Sequence, residues 1–579
     1  MTTNDFSRRT FLKGAGITAL GAAAAGMLAG CGKGYQVPAN EVPYDVRTTN
    51  SSTVSPSWLG LPPEVAEADI TETVDTEVLV VGTRTGGLPA VISAAENGAQ
   101  VLGIDRTSKI ANPREDIGAI DSRLQLESFE QFPQFRIDKK EAVEDIVRYA
   151  NGFINYDLVK LWADESGAML DWVTDIIQRD GRMVMNFEGS IGTENTGARD
   201  RAWATGHSPE AVGAAKEDKN FGFGVSLKEY AEEKGAQFRF NTELVKLEQD
   251  EAGRVTGIIA RDVNDRHYIR INASKGVILA TGGYGNNIEM MEARQPWNQR
   301  LRIPAPGKGG NPTGDGIKAA LWCGARMDPV GAAVTFNRAC CKPDETVDMD
   351  ITGEWFWFGE QPFMKVNLEG KRFCNESGPY DYMLHSAYMQ THHTYVDVWD
   401  ANWKEHARQM NEVGCCRLFP FDNGAPSNRT ADSMESLFED LIEKGYIQTA
   451  DTPEELAEKL NIPADTFAET FNHYNEMARA GEDTDYYKEA YRLIPMDTPP
   501  YYGVRTGAWF LATLDGIQID TNMHPLREDG TPIEGLYATG DCSGGFFSVS
   551  YPNLFTGLAC GRTFLFGKIA GENAATGKA

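Results

Sequence analysis

The segment from Thr76 to Arg106 constrains the fold of this chain more than any other. It opens with an apolar, β-branched run from Glu77 to Val81, which predicts a buried parallel strand. A glycine cluster and apolar residues at helical spacing follow, and a second apolar run from Val101 to Ile104 ends at Asp105. Strand, glycine turn, helix, strand and acid in this order predict a dinucleotide-binding β-α-β unit.

The glycines of this turn match the dinucleotide fingerprint in part. The fingerprint has glycine at its first, third and sixth places, and here those places hold Gly82, Arg84 and Gly87. Asp105 lies 23 positions beyond Gly82, near the offset of about 20 for an acid that binds a ribose hydroxyl. An ordinary β-α-β unit of another α/β enzyme is the alternative. Arg84 either contacts a phosphate or lies on the surface of a wider turn.

Composition and charge exclude several classes of function. The chain has 579 residues, 41% of them hydrophobic, which is enough for a large core and two domains behind a leader. A net charge of −28 makes nucleic acid an unfavourable partner. The cysteines show no CxxC or CxxCH spacing, so no metal site and no c-type haem are predicted, and the adjacent pairs Cys340-Cys341 and Cys415-Cys416 are interpreted as buried free thiols.

The first 74 residues are interpreted as a targeting segment and a tether. Ser7 to Lys13 is a twin-arginine pattern, and the apolar run from Ala15 to Leu28 is too short and too rich in glycine and alanine for a spanning helix. Cys31 directly follows that run in a lipobox-like context, which predicts lipidation; cleavage nearby with an incidental cysteine is the alternative. Residues 1–31 are therefore the signal and 32–74, rich in Pro, Ser and Thr, the tether.

Further glycine turns occur along the rest of the chain. A buried strand is predicted before Ala280 to Tyr284, and Thr313 to Gly316 opens a helix. From about Gly331 to Pro500 the chain is aromatic and irregular with several helices, which predicts a separate domain. Strand-like segments then return, and a final helix rich in small residues is predicted to start near Asn553 or Leu554.

Taken together, these pieces resemble the flavoprotein family of fumarate reductase, flavocytochrome c, urocanate reductase and the 3-ketosteroid dehydrogenases, over roughly residues 75 to 575. In plan, including the leader, the chain also resembles bacterial cardiac-glycoside reductases. The motifs that carry the resemblance are VVGxxxGGL near Gly82, ILATGGYGNN at Ile278 to Asn287, NPTGDG at Asn311 to Gly316, VNLEGKRFCNE at Val366 to Glu376 and GLYATGDCSGG at Gly535 to Gly545.

The resemblance implies an α/β fold, in which a Rossmann-like FAD-binding domain built from both chain ends carries an inserted α+β cap domain. The implied segments are 75–330 and 504–579 for FAD and 331–503 for the cap, with substrate at their interface. The last helix would point its N-terminus at the flavin. The implied FAD-binding residues are Gly82, Thr83, Gly86, Gly87, Asp105, Arg106, Val245, Ala280, Thr281, Gly282, Gly283, Asp315, Gly540, Asp541, Asn553 and Leu554.

Family chemistry is hydride transfer from flavin N5 to one carbon of an activated C=C bond, with a proton delivered to the neighbouring carbon. Tyr380 stands where fumarate reductases have the proton-donating Arg, and Tyr551 where they have an Arg that binds a substrate carboxylate. A dicarboxylate needs cationic partners, so fumarate is disfavoured as the substrate. Tyr551-Pro552 instead resembles the 3-ketosteroid dehydrogenases, whose Tyr binds a substrate carbonyl.

We therefore hypothesise that Tyr551 donates to a substrate carbonyl and that Tyr380 is the general acid, since a phenol with an ordinary pKa of about 10 is protonated at neutral pH. A buried tyrosine with a satisfied hydroxyl is the alternative for each. The leading function is an exported, lipid-anchored FAD reductase on the outer face of the cytoplasmic membrane. It would use an enone or acrylate as the electron sink of anaerobic respiration, with electrons from a membrane cytochrome or quinol-linked partner. A 3-ketosteroid dehydrogenase and a non-catalytic flavin- or ligand-binding protein are the alternatives.

Overall fold

A computed structural model of the protein describes residues 56–188, 202–304, 312–410, 417–420, 427, 429–547 and 549–578. The twin-arginine pattern, the lipobox with Cys31 and the Cys415-Cys416 pair lie outside these ranges. Trp58–Ala579 forms one compact unit. Within the described ranges, every helix is too short or too polar to cross a membrane.

Strands and helices of this unit are numbered here in chain order. The strands are β1 Ile70–Val81, β2 Val101–Ile104, β3 Met183–Phe187, β4 His207–Ala211, β5 Gln237–Arg239, β6 Thr242–Gln249, β7 Val255–Asp262, β8 Tyr268–Leu279, β9 Ala333–Cys341, β10 Glu354–Trp355, β11 Met364–Asn367, β12 Tyr395–Asp400, β13 Gln448–Ala450, β14 Tyr501–Thr513 and β15 Leu536–Ala538. The helices are α1 Gly87–Glu96, α2 Arg123–Gln131, α3 Lys139–Tyr149, α4 Tyr156–Gln178, α5 Ala214–Glu217, α6 Phe223–Glu233, α7 Ile288–Arg294, α8 Pro296–Leu301, α9 Asp315–Trp322, α10 Tyr380–Tyr388, α11 Trp403–Met410, α12 Ala431–Glu443, α13 Pro453–Lys459, α14 Ala464–Ala480 and α15 Leu558–Thr576.

The first sheet has the strand order β5-β2-β1-β8-β7-β6, with β15 also paired to β8. Its centre is the predicted β-α-β unit: β1 and β2 run parallel, with Val78 opposite Val101, and α1 connects them. Strand β15 comes from the C-terminal part of the chain and pairs in parallel with β8 at Leu536 and Val277. Both ends of the folded chain therefore build this sheet, as the resemblance implies.

One strand of this sheet differs from its prediction. The sequence suggests a hairpin ending at Asn272 and then a separate strand at Lys275–Leu279, but β8 is one continuous strand. Its first half pairs antiparallel with β7 and its last residues pair with β15, while β1 follows it along almost its whole length. Strands β7 and β15 pair with successive parts of β8 on one side, and β1 pairs with it on the other. These pairings keep β8 extended throughout.

The second sheet is antiparallel and has the order β10-β9-β14-β12-β11, with β13 also paired to β14. Strand β14 pairs with β9 and β12 over residues on both sides of the boundary proposed between 503 and 504, so that boundary falls inside a strand. The end of β14 reaches the first sheet's glycine turn, where the Tyr284 N–H donates to Thr513 Oγ1 at 3.1 Å. This strand joins the two layers.

Helix α15 starts at Leu558, so the predicted start at Asn553 or Leu554 is wrong. Residues before it form tight turns, and Gly557, with φ +76°, takes a left-handed conformation at the helix start. The small residues of α15 allow close packing: a Cβ added at Gly567 would lie 2.3 Å from the Gly86 carbonyl oxygen at the start of α1. Helix α15 therefore lies directly against the dinucleotide unit.

Candidate active site

A cavity of about 710 Å³ lies at the carboxyl ends of β1, β2 and β8. This is where open parallel sheets bind ligands, and the volume is in the range of cofactor sites. The predicted residues that line it are Gly82, Thr83, Gly86, Asp105, Arg106, Ala280, Thr281, Gly282, Gly283, Asp315, Gly540 and Asp541. The residues Gly87, Val245, Asn553 and Leu554 do not line it, and Glu243 and Leu244 contribute from β6 in place of Val245.

Asp105 is held rigidly at the floor of this cavity. Its Oδ2 accepts from the Thr83 N–H at 2.9 Å and from the Thr83 hydroxyl at 3.1 Å. Its Oδ1 accepts from the Thr107 N–H at 2.9 Å and from the Thr107 hydroxyl at 2.7 Å. An ionised carboxylate has about four acceptor positions, and here they are oriented by two threonines that the fingerprint does not specify.

The glycine turn allows backbone segments to meet around the cavity. Gly82 has φ +91°, and a Cβ added there would lie 2.4 Å from the Ala280 carbonyl oxygen. A Cβ at Gly87 would lie 1.8 Å from the Gly82 carbonyl oxygen, so this last fingerprint glycine serves helix-strand packing rather than the cavity surface. Arg84, at the place of the missing glycine, has an exposed side chain and lines the cavity.

Two arginines that no sequence motif marks, Arg114 and Arg562, connect separate segments at the inner end of the cavity. Arg114 Nη2 donates to Asp541 Oδ2 at 2.7 Å, which joins the loop after β2 to the segment after β15. Fully buried Arg562 on α15 donates to the Gly540 carbonyl oxygen at 2.9 Å and to the Ser543 carbonyl oxygen at 3.1 Å. Burial lowers the pKa of Arg562 to about 10. No local motif signals these residues, because their partners are distant in sequence.

The N-terminus of α15 lies next to the cavity and is contacted by Tyr551, which precedes the helix. The Cys560 thiol in the first turn contacts the carbonyl oxygen of Arg114, a cavity residue, at 3.3 Å. The Tyr551 hydroxyl accepts from the Ala559 N–H at 3.3 Å. The Gly118 N–H donates to the Gly557 carbonyl oxygen at 2.8 Å. Tyr551 thus reaches the positive end of the helix dipole.

Tyr380 begins α10 on the side of the second sheet. It is 7% exposed, and its ring centroid lies 5.6 Å from that of Phe336 on β9. Its neighbour Asp381 accepts from the Tyr149 hydroxyl at 2.5 Å and also interacts with Ser550. Burial raises the pKa of Asp381 to about 6. The segments that carry the two predicted tyrosines therefore meet at Asp381 and Ser550, although they are far apart in sequence.

Arginines and aromatic rings surround this meeting point. The Arg338 guanidinium lies 3.9 Å from the Phe336 ring centroid and 4.2 Å from that of Trp357, and Arg429 lies 3.9 Å from the Trp357 centroid. Three tryptophans continue the aromatic surface: the ring centroid of Trp355 lies 5.4 Å from that of Trp357 and 4.3 Å from that of Trp509. Cationic groups are thus present close to the predicted site, although the two family arginine positions hold tyrosine.

No group of three or more His, Cys, Asp or Glu side chains in the described ranges is arranged to hold a metal ion. Cys340 and Cys341 are buried free thiols. The cavity, by contrast, fits a dinucleotide: glycine turns bring backbone to its surface, and helices α1 and α15 begin beside it.

A family described as an FAD binding domain matches residues 77–553. The chain belongs to this FAD-binding family. The match spans both sheets and every segment that lines the cavity apart from Thr563. The predictions of an α/β FAD-binding fold, of FAD as cofactor and of an oxidoreductase are confirmed.

Two relatives that match most of the chain are named as reductases. The chain is 26% identical to the vinyl phenol reductase of Lactiplantibacillus plantarum over 86% of this chain and 96% of that protein. It is 25% identical to the digoxin reductase of Eggerthella lenta over 98% of this chain and 96% of that protein.

Among solved structures, a flavocytochrome c3 fumarate reductase in an open conformation matches with a TM-score of 0.62 at 23% identity, over 88% of this chain and 79% of that one. A 3-ketosteroid-Δ4-(5α)-dehydrogenase from Rhodococcus jostii matches with a TM-score of 0.62 at 22% identity, over 89% of this chain and all of that one. These two likenesses concern the fold.

Proposed function

We propose that this protein reduces an activated C=C bond of an organic enone or acrylate, adding a hydride to one carbon and a proton to its neighbour. One observation carries the proposal. The FAD cavity and the segments bearing Tyr380 and Tyr551 converge at the N-terminal end of α15. The relatives named as vinyl phenol and digoxin reductases support the reaction type.

Bound FAD supplies the hydride, and the residues of this chain bind, orient and protonate. Tyr551 donates a hydrogen bond to the substrate carbonyl oxygen and stabilises the negative charge that develops there. The N–H groups at the start of α15 add the positive end of the helix dipole. Tyr380 delivers a proton to the carbon next to the one that receives the hydride.

The surroundings of Tyr380 favour a substrate with an apolar or aromatic body. Phe336 and three tryptophans provide flat apolar surface. Arg338, which is ion-paired with Glu360, and Arg429 bring positive charge to this surface, so an acrylate with one carboxylate is as compatible with the site as an enone. Fumarate, with two carboxylates and no apolar body, suits this surface less well.

Export and electron supply form part of the same proposal. The twin-arginine pattern and the lipobox-like Cys31 support a folded, FAD-loaded protein anchored at the outer face of the cytoplasmic membrane. The sequence has no CxxCH segment for a haem of its own. We infer that electrons come from a membrane cytochrome or a quinol-linked partner.

A second candidate is a 3-ketosteroid dehydrogenase, favoured by Tyr551-Pro552 and by the fold match to a ketosteroid dehydrogenase. The direction of flavin chemistry separates the two: a dehydrogenase has its oxidised flavin reduced by a saturated ketone, whereas the proposed reductase has its reduced flavin oxidised by the unsaturated compound. A non-catalytic flavin- or ligand-binding protein, the third candidate, would do neither.

The decisive experiment is anaerobic. The flavin of the purified holoprotein is reduced with a viologen dye, and enones, enoates, aryl acrylates and fumarate are screened for reoxidation. The best acceptor is then used with Tyr380→Phe and Tyr551→Phe, with Tyr388→Phe on the same helix α10 as the matched control.

We expect reoxidation to be roughly 100-fold slower in Tyr380→Phe than in the wild type, the size of a typical general-acid contribution. Reoxidation should also be slower in Tyr551→Phe, and slower still with acceptors that react weakly with the wild type. Tyr388→Phe should behave as the wild type. Unchanged rates in both active-site variants with flavin retained, or a rate with fumarate equal to that of the best organic acceptor, would contradict these roles.

A further inference from the structure

We propose that Glu188 and Asp116 form a proton-sharing carboxyl pair that supplies the proton consumed in the reduction. The inference rests on the proposed function and names a group for it that no family motif marks. Three observations support the inference: the pair lies at the N-terminal end of α15, the two carboxyl groups interact with each other, and arginine side chains face them.

Glu188 is fixed at the end of β3, next to the start of α15. Its N–H donates to the Gly206 carbonyl oxygen at 2.9 Å. The residue is buried, with 8% of its surface exposed. A Cβ added at Gly206 would lie 3.3 Å from Glu188 Oε2 and 2.6 Å from Thr556 Cγ2. The Glu188 carboxyl group and the Thr556 side chain therefore both lie close to Gly206. Within the described part of the chain, Oε2 has no hydrogen-bond partner.

Asp116 approaches the same helix end from the loop after β2. Its carbonyl oxygen lies 2.7 Å from the position that a Cβ on Gly557 would take. Its carboxyl group interacts with that of Glu188, which also interacts with Ser208 on β4. Two carboxylates in contact do not both ionise readily, so one of them keeps a proton at neutral pH.

Burial, and then the charge of Asp116, raise the pKa of Glu188 to about 7. Burial also raises the pKa of Asp116. Burial of both groups and the charge of one on the other favour one shared proton on the pair. A proton held near neutral pH is available both for donation and for replacement from solvent.

Three arginines face the pair and would stabilise the charge left behind when the proton is given up. Arg338 on β9, Arg417 and Arg429 all act on Asp116, and Arg417 also acts on Glu188. From the side of α15, the Cys560 thiol faces Asp116. Arg338 also contacts Phe336, which packs on Tyr380. The pair therefore lies next to the proposed substrate surface.

The step balances as follows. The C=C bond gains a hydride, whose two electrons come from reduced FAD, and one proton from the Tyr380 hydroxyl, which takes a replacement proton from a Glu188 oxygen. The substrate is reduced to a CH–CH unit and the flavin is oxidised. The pair becomes doubly ionised opposite the arginines and takes a new proton from solvent.

The test uses the anaerobically reduced holoprotein and the best acceptor, with Glu188→Gln and Asp116→Asn as variants. Glu210→Gln, an exposed residue on β4 that pairs with Lys216, is the matched control. Reoxidation is measured as a function of pH. In parallel, infrared spectra follow the C=O band of the protonated carboxylic acid of the resting, oxidised holoprotein.

We expect the wild-type rate to fall above about pH 7, in step with loss of the infrared band. Glu188→Gln should lose both the band and this pH dependence and react roughly 100-fold more slowly. Asp116→Asn should move the band to lower pH, because the negative charge that raises the pKa of Glu188 is removed. Glu210→Gln should match the wild type.

A Glu188→Gln protein with full flavin, a wild-type rate and an unchanged pH profile overturns the inference and leaves the proposed function intact. If that variant loses its flavin, an infrared band in Asp116→Asn that titrates as in the wild type still overturns the inference. A wild-type holoprotein that no unsaturated compound reoxidises overturns the proposed function and this inference together.

Discussion

Buried acids of this protein lie in two kinds of surroundings. Asp105 at the cofactor cavity receives four hydrogen bonds from two threonines, which orient its carboxyl group. The acids near α15 have pKa values raised by burial, to about 6 for Asp381 and about 7 for Glu188, which suits groups that exchange protons near neutral pH. The FAD end and the substrate end of the site thus differ in electrostatics.

His207 supports the strand pair that carries Glu188, and its titration predicts a pH effect on stability. Its Nε2 lies 2.8 Å from Ser122 Oγ and its Nδ1 2.9 Å from the Thr205 carbonyl oxygen, with the ring fully buried. Burial lowers the pKa of His207 from 6.5 to about 4. Between these values the unfolded chain binds more protons than the folded protein, so stability falls as pH falls.

We expect His207 to account for a loss of about 3 kcal/mol in the free energy of unfolding as pH drops from about 6.5 to about 4. His207→Gln should flatten this slope in urea unfolding curves, while His473→Gln, at an exposed position on α14, should leave it unchanged. A slope equal to that of the wild type in His207→Gln would contradict the buried neutral ring.

At the scale of elements, α1 and α15 place two helix N-termini beside one cavity. Both depend on glycines at points of backbone contact: a Cβ at Gly87 would meet the Gly82 carbonyl oxygen at 1.8 Å, and one at Gly561 would meet the Gly118 carbonyl oxygen at 1.8 Å. The close approach brings the positive ends of two helix dipoles beside one cavity, where they would favour the negative charge of a bound dinucleotide.

Gly87→Ala should therefore displace α1 from β1 and lower the free energy of unfolding by about 1 to 3 kcal/mol, with loss of most of the bound FAD. Gly378→Ala is the control, because its added Cβ would lie 3.5 Å from its nearest neighbour, the Asn375 carbonyl oxygen. Flavin absorbance per protein and thermal unfolding measure both effects. Full flavin content in Gly87→Ala would show that α1 tolerates the shift.

At the scale of the whole molecule, contacts between residues far apart in sequence hold the two layers on the cofactor. Strand β14 belongs to the second sheet and ends at the glycine turn of the first, and the Arg114–Asp541 ion pair connects residues 427 positions apart. The FAD site is complete only when both ends of the folded chain are in place.

Membrane attachment is the prediction at this scale. Cys31→Ser should move the protein from the membrane fraction to the soluble fraction with its flavin content unchanged, because the predicted lipidation site is not among the residues that line the FAD cavity. Replacing Arg8 and Arg9 with lysine should instead block export. The checks are fractionation and flavin absorbance. A Cys31→Ser protein that stays with the membrane would argue for another mode of attachment.

The sequence by itself determined the β1-α1-β2 unit and the glycine turns at Gly82 and Gly282, and its resemblance to a flavoprotein family implied the FAD cofactor and the kind of fold. Apolar periodicity and glycine backbone freedom are local properties that a single stretch of chain reveals. The tertiary structure alone decided the continuity of β8, the late start of α15 and the grouping of Glu188, Asp116 and the arginines. Those features depend on pairings across hundreds of residues, where burial and neighbouring charge, not local pattern, set the conformation and the chemistry.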